Sequence, residues 1–143
     1  MTVKVGHNPY LRAASAYIRY QVFVLERGIP AAEEFDANDL PQTVYAVAFS
    51  GDQPLATARL LNASDNQVRI TRVATLKAAR GKSYGRQVVE ALEQEIKAQN
   101  YKSIEIHAEM DAIPFYEKLG YQINSEIYYE DGQACQSVIK YVE

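Results

Sequence analysis

The sequence of 143 residues has one cysteine, Cys135, and no tryptophan. One cysteine excludes an internal disulfide, and a chain of this length can bury a full core without such a cross-link. The two histidines, His7 and His107, have no cysteine pair beside them, so we expect no metal site. No apolar run approaches the roughly 20 residues of a membrane-spanning helix, so we expect no membrane partner.

A strong excess of charge of either sign is also missing. The sequence has 15 Lys and Arg residues against 18 Asp and Glu residues, a net charge of −3. This balance argues against nucleic-acid binding through bulk charge, although a local basic segment could still bind a small anion. The length predicts a single domain over residues 1–143. The N-terminal residues lack the apolar stretch of a signal peptide, so we expect a cytoplasmic location.

The first half of the sequence alternates between helical and strand periodicity. Asn8-Pro9 is typical of a helix start, and apolar residues at helical spacing follow it until Gly28 and Pro30. The acidic segment 31–41 is predicted to be a loop or a short irregular helix. Three strands joined by tight turns then predict an antiparallel meander. These strands cover residues 43–49, 54–61 and 67–75.

The second half begins with a glycine-containing loop and a helix. Tyr84, Val88, Leu92 and Ile96 recur every four residues, which predicts a helix that ends near Asn100. A strand at 103–107, a helix at 111–119 capped by Asp111, and two closing strands at 121–129 and 136–142 complete the chain. We therefore predict an α/β (α+β) domain with a mixed, mostly antiparallel central sheet flanked by helices.

The loop between the third meander strand and the long helix is the most informative segment. Arg80, Lys82 and Arg86 bring positive charge to a helix N-terminus, and Gly81 and Gly85 allow close approach of a ligand to the backbone. The pattern predicts a pyrophosphate-binding loop. Its spacing fits neither common nucleotide-binding loop. The alternative is an ordinary turn before a surface helix, with solvated cations.

Two motifs resemble the Gcn5-related N-acetyltransferase (GNAT) family. The first is Arg80-Gly81-Lys82-Ser83-Tyr84-Gly85, which is similar to the acetyl-CoA signature Arg/Gln-x-x-Gly-x-Gly/Ala. The second is Ala112-Ile113-Pro114-Phe115-Tyr116-Glu117-Lys118-Leu119-Gly120-Tyr121. The resemblance implies the acyl-CoA N-acyltransferase fold, acetyl-CoA as co-substrate and no metal. Ser83 departs from the family pattern, because it stands at a glycine position.

Two further segments are similar to small bacterial acetyltransferases related to the ElaA and YjcF proteins. They are Val22-Phe23-Val24-Leu25-Glu26-Arg27, continued by Glu34-Phe35-Asp36-Ala37-Asn38-Asp39, and Ile106-His107-Ala108-Glu109. Arg27 and Glu109 both stand at glutamine positions of these segments. Cys135 stands near a position that often carries histidine. These departures leave the acceptor substrate open.

The resemblance also implies which residues hold acetyl-CoA. The backbone of Val73, Ala74 and Thr75 would pair with the pantetheine arm as an added strand would. An N–H group near Val73 or Ala74 would polarise the thioester carbonyl. The loop and helix start would hold the pyrophosphate. These residues are Arg80, Gly81, Lys82, Ser83, Tyr84, Gly85 and Arg86.

Acetyl transfer to an amine needs a proton acceptor, because an ammonium group has no lone pair. The candidate bases are Glu34, Glu26, His107 and Asp36. The alternatives are a solvated acidic loop and a hydrogen-bonded histidine at a strand end. Tyr116 matches the tyrosine that donates a proton to the leaving thiolate in the family, and its alternative is a core aromatic.

These patterns together predict an N-acetyltransferase that acts on a primary amine of a small molecule or peptide by direct transfer in a ternary complex. The acidic segment 33–39 favours a cationic acceptor. Cys135 is expected to be a small apolar filler rather than a nucleophile. Two alternatives stay open: an inactive CoA-binding regulatory module of the same fold, and an acyl-homoserine-lactone synthase-like acyltransferase. A homodimer is possible.

Overall fold

In the computed structural model, which describes residues 1–142, eight strands form one mixed sheet. The strands are β1 (Thr2–Gly6), β2 (Val44–Ser50), β3 (Gln53–Asn62), β4 (Gln67–Thr75), β5 (Ser103–Glu109), β6 (Gln122–Ile123), β7 (Tyr128–Glu130) and β8 (Gln133–Tyr141). Their order is β1-β2-β3-β4-β5-β8-β6, and β7 pairs with β8. Only the β4–β5 pair is parallel. The predicted mixed, mostly antiparallel sheet with flanking helices is confirmed.

The helices lie where the periodicity predicts them, with local differences. They are α1 (Pro9–Arg19), α2 (Ala31–Glu34), α3 (Tyr84–Ala98) and α4 (Ile113–Lys118). The predicted first helix continues beyond α1 as a wider π-helical segment, Tyr20–Glu26. Asn8 precedes α1 but makes no side-chain capping bond. The prediction of Asp111 as a cap was wrong, because Asp111 lies within a 3₁₀ turn, Met110–Ala112, that precedes α4.

The strand predicted over residues 121–129 was also wrong in extent. It consists of the short strands β6 and β7 with an irregular segment between them. In that segment the hydroxyl of Ser125 accepts a hydrogen bond of 2.9 Å from the backbone N–H of Ser137 in β8. A side chain thus replaces a backbone acceptor there, and the chain leaves the sheet between β6 and β7.

Helices cover both faces of the sheet, and successive residues of β2 face opposite cores. Ala46 and Ala48 pack in the cluster that contains Leu92 and Ile96 of α3. Tyr45 and Val47 pack in the cluster that contains α1 residues. This alternation follows from the period of two in a strand. The two cores fix α1 and α3 on opposite sides of the meander.

Strands β4 and β5 separate soon after they begin. Their pairing covers three positions, from Gln67 opposite Ser103 to Arg69 opposite Glu105. Beyond Arg69, β4 keeps its pairing with β3, with a register shift beside Arg72, whose φ is 54°. The second half of β4 therefore presents a free backbone edge toward the opening between the two strands.

Candidate active site

The opening between β4 and β5 leads into a cavity of about 1150 Å³ beside the start of α3, which we call the α3 cavity. Its walls come from the end of β4, the loop before α3, α4, and the π-helical segment. All the residues predicted to hold acetyl-CoA line it, with the exception of Lys82. The structure thus brings the strand edge and the glycine-containing loop together at one concave surface.

The backbone N–H groups of residues 81–86 point to an anion site at this surface. Within residues 1–142, none of these six groups donates a hydrogen bond to the protein. Gly81 and Ser83 have left-handed φ values of 81° and 68°. A Cβ atom on Gly85 would lie 3.3 Å from Oγ1 of Thr75, so glycine keeps α3 close to β4. Free amides at the N-terminus of a 15-residue helix suit a phosphate.

The cations of this loop are less available to a ligand than the sequence indicates. The Arg80 guanidinium donates two hydrogen bonds of 2.7 Å to the carboxylate of Glu26. These bonds lower the pKa of Glu26 below its ordinary value. Arg86 contacts Glu90 at 3.3 Å. The charge expected to attract a pyrophosphate is therefore balanced by carboxylates at two of three positions, and the backbone carries more of the anion-binding role.

A second cavity, of about 490 Å³, opens on the other side of the β4–β5 separation, and we call it the His107 cavity. It is lined by β5, by the β7–β8 hairpin and by the segment around α2. The two cavities share seven lining residues, which we call the junction: Phe23, Arg27, Val73, Glu109, Ala112, Tyr116 and Gln133. Ligands in the two cavities would meet there.

Tyr116 belongs to the junction and is 6% exposed. Its ring packs edge-on against Phe115 and Tyr121, at centroid distances of 5.0 and 5.9 Å. Burial, and after it the charge of Glu109, raises the pKa of Tyr116 above that of an ordinary tyrosine. The phenol therefore stays protonated at neutral pH.

Glu34 lies in a buried ionic network at the edge of the His107 cavity. It is 2% exposed and accepts hydrogen bonds of 2.9 Å from Arg19 and 3.0 Å from Arg72. Arg19 and Arg59, each 1% exposed, also contact Asp39 at 2.7 and 3.1 Å. The network thus neutralises much of the segment that the sequence presents as acidic.

At Asp36 and Asp39, hydrogen bonds and nearby positive charges together outweigh the effect of burial on the pKa. Burial alone would raise the pKa of Asp39, but bonds from Arg19 and Tyr45 bring it well below its ordinary range. Burial would also raise the pKa of Asp36, but the hydrogen bond from Arg59 helps bring it below its ordinary value. Burial and the Asp39 carboxylate raise the pKa of Tyr45 to about 12. Asp36, a predicted candidate base, is therefore held as an ion-paired carboxylate.

His107 lies on β5 with carboxylates on both sides of its ring. Its Nε2 is 3.1 Å from Glu105, and its Nδ1 is 3.2 Å from Glu130 of the β7–β8 hairpin. The Tyr128 ring packs edge-on against it at 5.8 Å. The two carboxylates hold the His107 ring in place from both sides. Its role as a base stays a prediction, as do those of Glu34 and Glu26.

Cys135 is 3% exposed and lies opposite Glu109 in the β5–β8 pairing. Burial raises the pKa of its thiol above the ordinary value. A buried thiol that resists ionisation is a poor nucleophile. These features support the prediction that Cys135 is a packing residue.

Sequence reasoning noted Arg27 and Glu109 as separate departures but missed that they form a pair. Arg27 donates hydrogen bonds of 2.9 and 2.5 Å to the two carboxylate oxygens of Glu109. The residues are 82 positions apart, and both belong to the junction. The signal that could have linked them is their common replacement of glutamine by residues of opposite charge.

No described helix has both the length and the apolar character needed to cross a membrane. Residues 1–142 contain no group of three or more His, Cys, Asp or Glu side chains suited to hold a metal ion.

Comparison with known proteins identifies one family for the chain. Residues 13–121 match the model of the acetyltransferase (GNAT) family. An uncharacterized acetyltransferase of Streptococcus pyogenes, from the arcA 3' region, is 44% identical over 108 residues, which are 76% of this chain and 74% of that protein.

Solved structures extend the similarity to the whole fold. A Lactobacillus plantarum structure described as an N-acetyltransferase superposes with a TM-score of 0.95 and 38% identity, covering 99% of this chain and 98% of that one. Escherichia coli ElaA superposes with a TM-score of 0.84 and 25% identity, covering 98% and 99% of the two chains.

Proposed function

Because the chain belongs to the acetyltransferase (GNAT) family, we propose that it transfers an acetyl group from acetyl-CoA directly to a primary amine of a small molecule or peptide. The observation that carries this proposal is the junction, where two cavities of different character meet at Tyr116 and the free edge of β4. A ternary complex requires such a meeting point, because the nitrogen must reach the thioester carbon without an enzyme-bound intermediate.

The residues of the α3 cavity fit acetyl-CoA. The free amides of residues 81–86 would hold the pyrophosphate, and the unpaired edge of β4 at Val73 and Ala74 would hold the pantetheine arm. A free amide on that edge would also donate to the thioester oxygen, which becomes negative as the amine adds. The backbone therefore supplies both binding and electrostatic stabilisation on this side.

The proton transfers fall to side chains around the junction. As the C–N bond forms and the C–S bond breaks, the amine loses a proton and the thiolate gains one. Tyr116 donates to the thiolate, because its buried phenol is protonated and its hydroxyl makes no hydrogen bond to another side chain within residues 1–142. His107 accepts the amine proton, since it lines the acceptor side and is bound to no guanidinium.

The test begins with calorimetric titration of acetyl-CoA, followed by thiol release with a panel of primary amines. We expect binding at micromolar concentration and release with at least one amine. Tyr116→Phe should lower kcat about 100-fold with acetyl-CoA affinity unchanged, because it removes only the proton donor. Tyr17→Phe on the exposed face of α1 is the matched control.

Each other outcome has a distinct meaning. Absence of acetyl-CoA binding at tens of micromolar overturns the proposal. Tight binding without thiol release from any amine favours the CoA-binding regulatory module instead. Wild-type kcat in Tyr116→Phe removes the tyrosine from the proton transfer and leaves the overall reaction in place.

A further inference from the structure

The Arg27–Glu109 pair lies where the two cavities meet. Arg27 follows the π-helical segment, and Glu109 ends β5, so the pair bridges elements on both sides of the opening. Its two parallel hydrogen bonds match the fork geometry in which guanidinium and carboxylate bind most strongly. The side chains remain 36% and 33% exposed, so a ligand in either cavity can reach them.

These two residues bring the formal charge to the junction. The other five junction residues are apolar or neutral. Glu109 acts on its surroundings from this position, because its charge adds to burial in raising the pKa of Tyr116. A charged group that enters the junction would therefore be attracted by one member of the pair and repelled by the other.

A primary amine reaches the junction as an ammonium ion, because its ordinary pKa is near 10. The ammonium has three N–H donors and no acceptor, as the guanidinium has only donors, so both are ligands for the same carboxylate. Glu34 and Asp39 in the neighbouring network are held by buried arginines. Arg27 holds Glu109 less firmly, because it is itself partly exposed and can turn toward solvent.

We propose that the Arg27–Glu109 pair determines the acceptor: the Glu109 carboxylate receives the ammonium group of the incoming amine, and Arg27 competes with that group for the carboxylate. This inference rests on the proposed function and adds the residue that recognises the acceptor. It assigns Glu109 as the specificity-determining residue. It also assigns Arg27 as a positioning residue that disfavours amines unable to displace it.

The test measures binding of n-butylamine to the protein saturated with CoA, by calorimetry, in the wild type and in two charge-neutralising variants. Glu109→Gln should weaken n-butylamine binding about tenfold or more, because a hydrogen bond to a charged group is lost. Arg27→Gln should strengthen binding about threefold or more, because the competitor is removed.

The opposite changes in n-butylamine affinity expected for the two variants distinguish this proposal from a purely structural role of the pair. A pair that only stabilises the fold loses the same two hydrogen bonds in either variant. Both variants would then change n-butylamine affinity in the same direction, and that result overturns the inference. Asp65→Asn and Lys97→Gln control for net charge, since both lie outside the two cavities. If Glu109→Gln does not fold, the direction of the change in n-butylamine affinity in Arg27→Gln alone tests the inference.

The proposed function and this inference can fail separately. If acetyl-CoA binds the wild type but n-butylamine does not bind the CoA-saturated protein, the inference is overturned and the acetyltransferase proposal stands. If acetyl-CoA itself does not bind, the proposed function is overturned and the inference with it.

Discussion

The two cavities that meet at Tyr116 are built in different ways. The α3 cavity takes its binding groups largely from one short stretch, residues 73–86, and offers backbone N–H groups and a strand edge. The His107 cavity is walled by side chains paired across long separations, such as Arg72 with Glu34 and Arg27 with Glu109. One side depends on backbone conformation and the other on charge pairing, so different substitutions should disable them.

The largest effect is expected from the buried network. Asp39→Asn removes a charge that compensates Arg19 and Arg59, both 1% exposed. Arg19 keeps Glu34 and Arg59 keeps Asp36, but both buried guanidinium groups lose the carboxylate that they share, so the free energy of unfolding should fall by about 3 kcal/mol. Urea denaturation measures this loss. Acetyl-CoA affinity at low temperature should persist in the folded fraction, since the α3 cavity does not include Asp39.

The same network predicts acid sensitivity. The pKa values of Asp36 and Asp39 are lower in the folded protein than in the unfolded chain, so their contribution is present above about pH 4. It is lost as the pH falls through the folded values. Denaturation midpoints measured from pH 6 to pH 2 should fall steeply in the wild type and less in Asp39→Asn. The exposed turn variant Asp52→Asn is the control, and an equal change there would refute the assignment.

The next prediction concerns the backbone of the α3 cavity. Gly85→Val would place branched carbons where a single Cβ already lies 3.3 Å from Thr75. The start of α3 must then move from β4 or the cavity must narrow, so acetyl-CoA affinity should fall about 100-fold, roughly 2.7 kcal/mol. Gln94→Val tests valine on an exposed position of the same helix. Unchanged acetyl-CoA affinity in Gly85→Val would mean that backbone approach does not govern binding here.

The fold was predictable from the sequence because its signals are local. Apolar spacing in α3 and alternation in the meander depend on residues a few positions apart, and both predictions are confirmed. The irregular segment between β6 and β7 was missed, because the strand-like pattern there does not reveal that the Ser125 hydroxyl accepts a hydrogen bond from the backbone N–H of Ser137. The π-helical segment also follows an ordinary helical pattern, so the apolar spacing does not distinguish it from an α-helix.

In the candidate site, too, local features were predictable from the sequence and long-range pairings were not. The amides of residues 81–86 and the edge of β4 are backbone features of one motif, so a sequence pattern identifies them. The pairing of Glu34 with Arg19 and Arg72 requires the folded sheet, and the sequence therefore suggests a free acidic segment where a neutralised network lies. The number of charged residues in a segment does not show which of them form ion pairs in the folded protein.

The smallest effect is expected at Ser83, which departs from the family pattern. The prediction there tests whether the backbone conformation or the serine side chain matters. Ser83 stands at a glycine position and keeps the left-handed backbone, with φ of 68°. Ser83→Gly should raise the free energy of unfolding by about 1 kcal/mol, because the strain of a Cβ atom in that conformation is removed. Acetyl-CoA affinity should stay close to wild type, since the serine hydroxyl caps no backbone amide. Thermal unfolding measures the first effect and calorimetry the second, with Gly81→Ala expected to destabilise at the neighbouring φ of 81°. A marked loss of acetyl-CoA affinity in Ser83→Gly would instead show that the α3 cavity uses a side chain there, and the contrast between the two cavities would narrow.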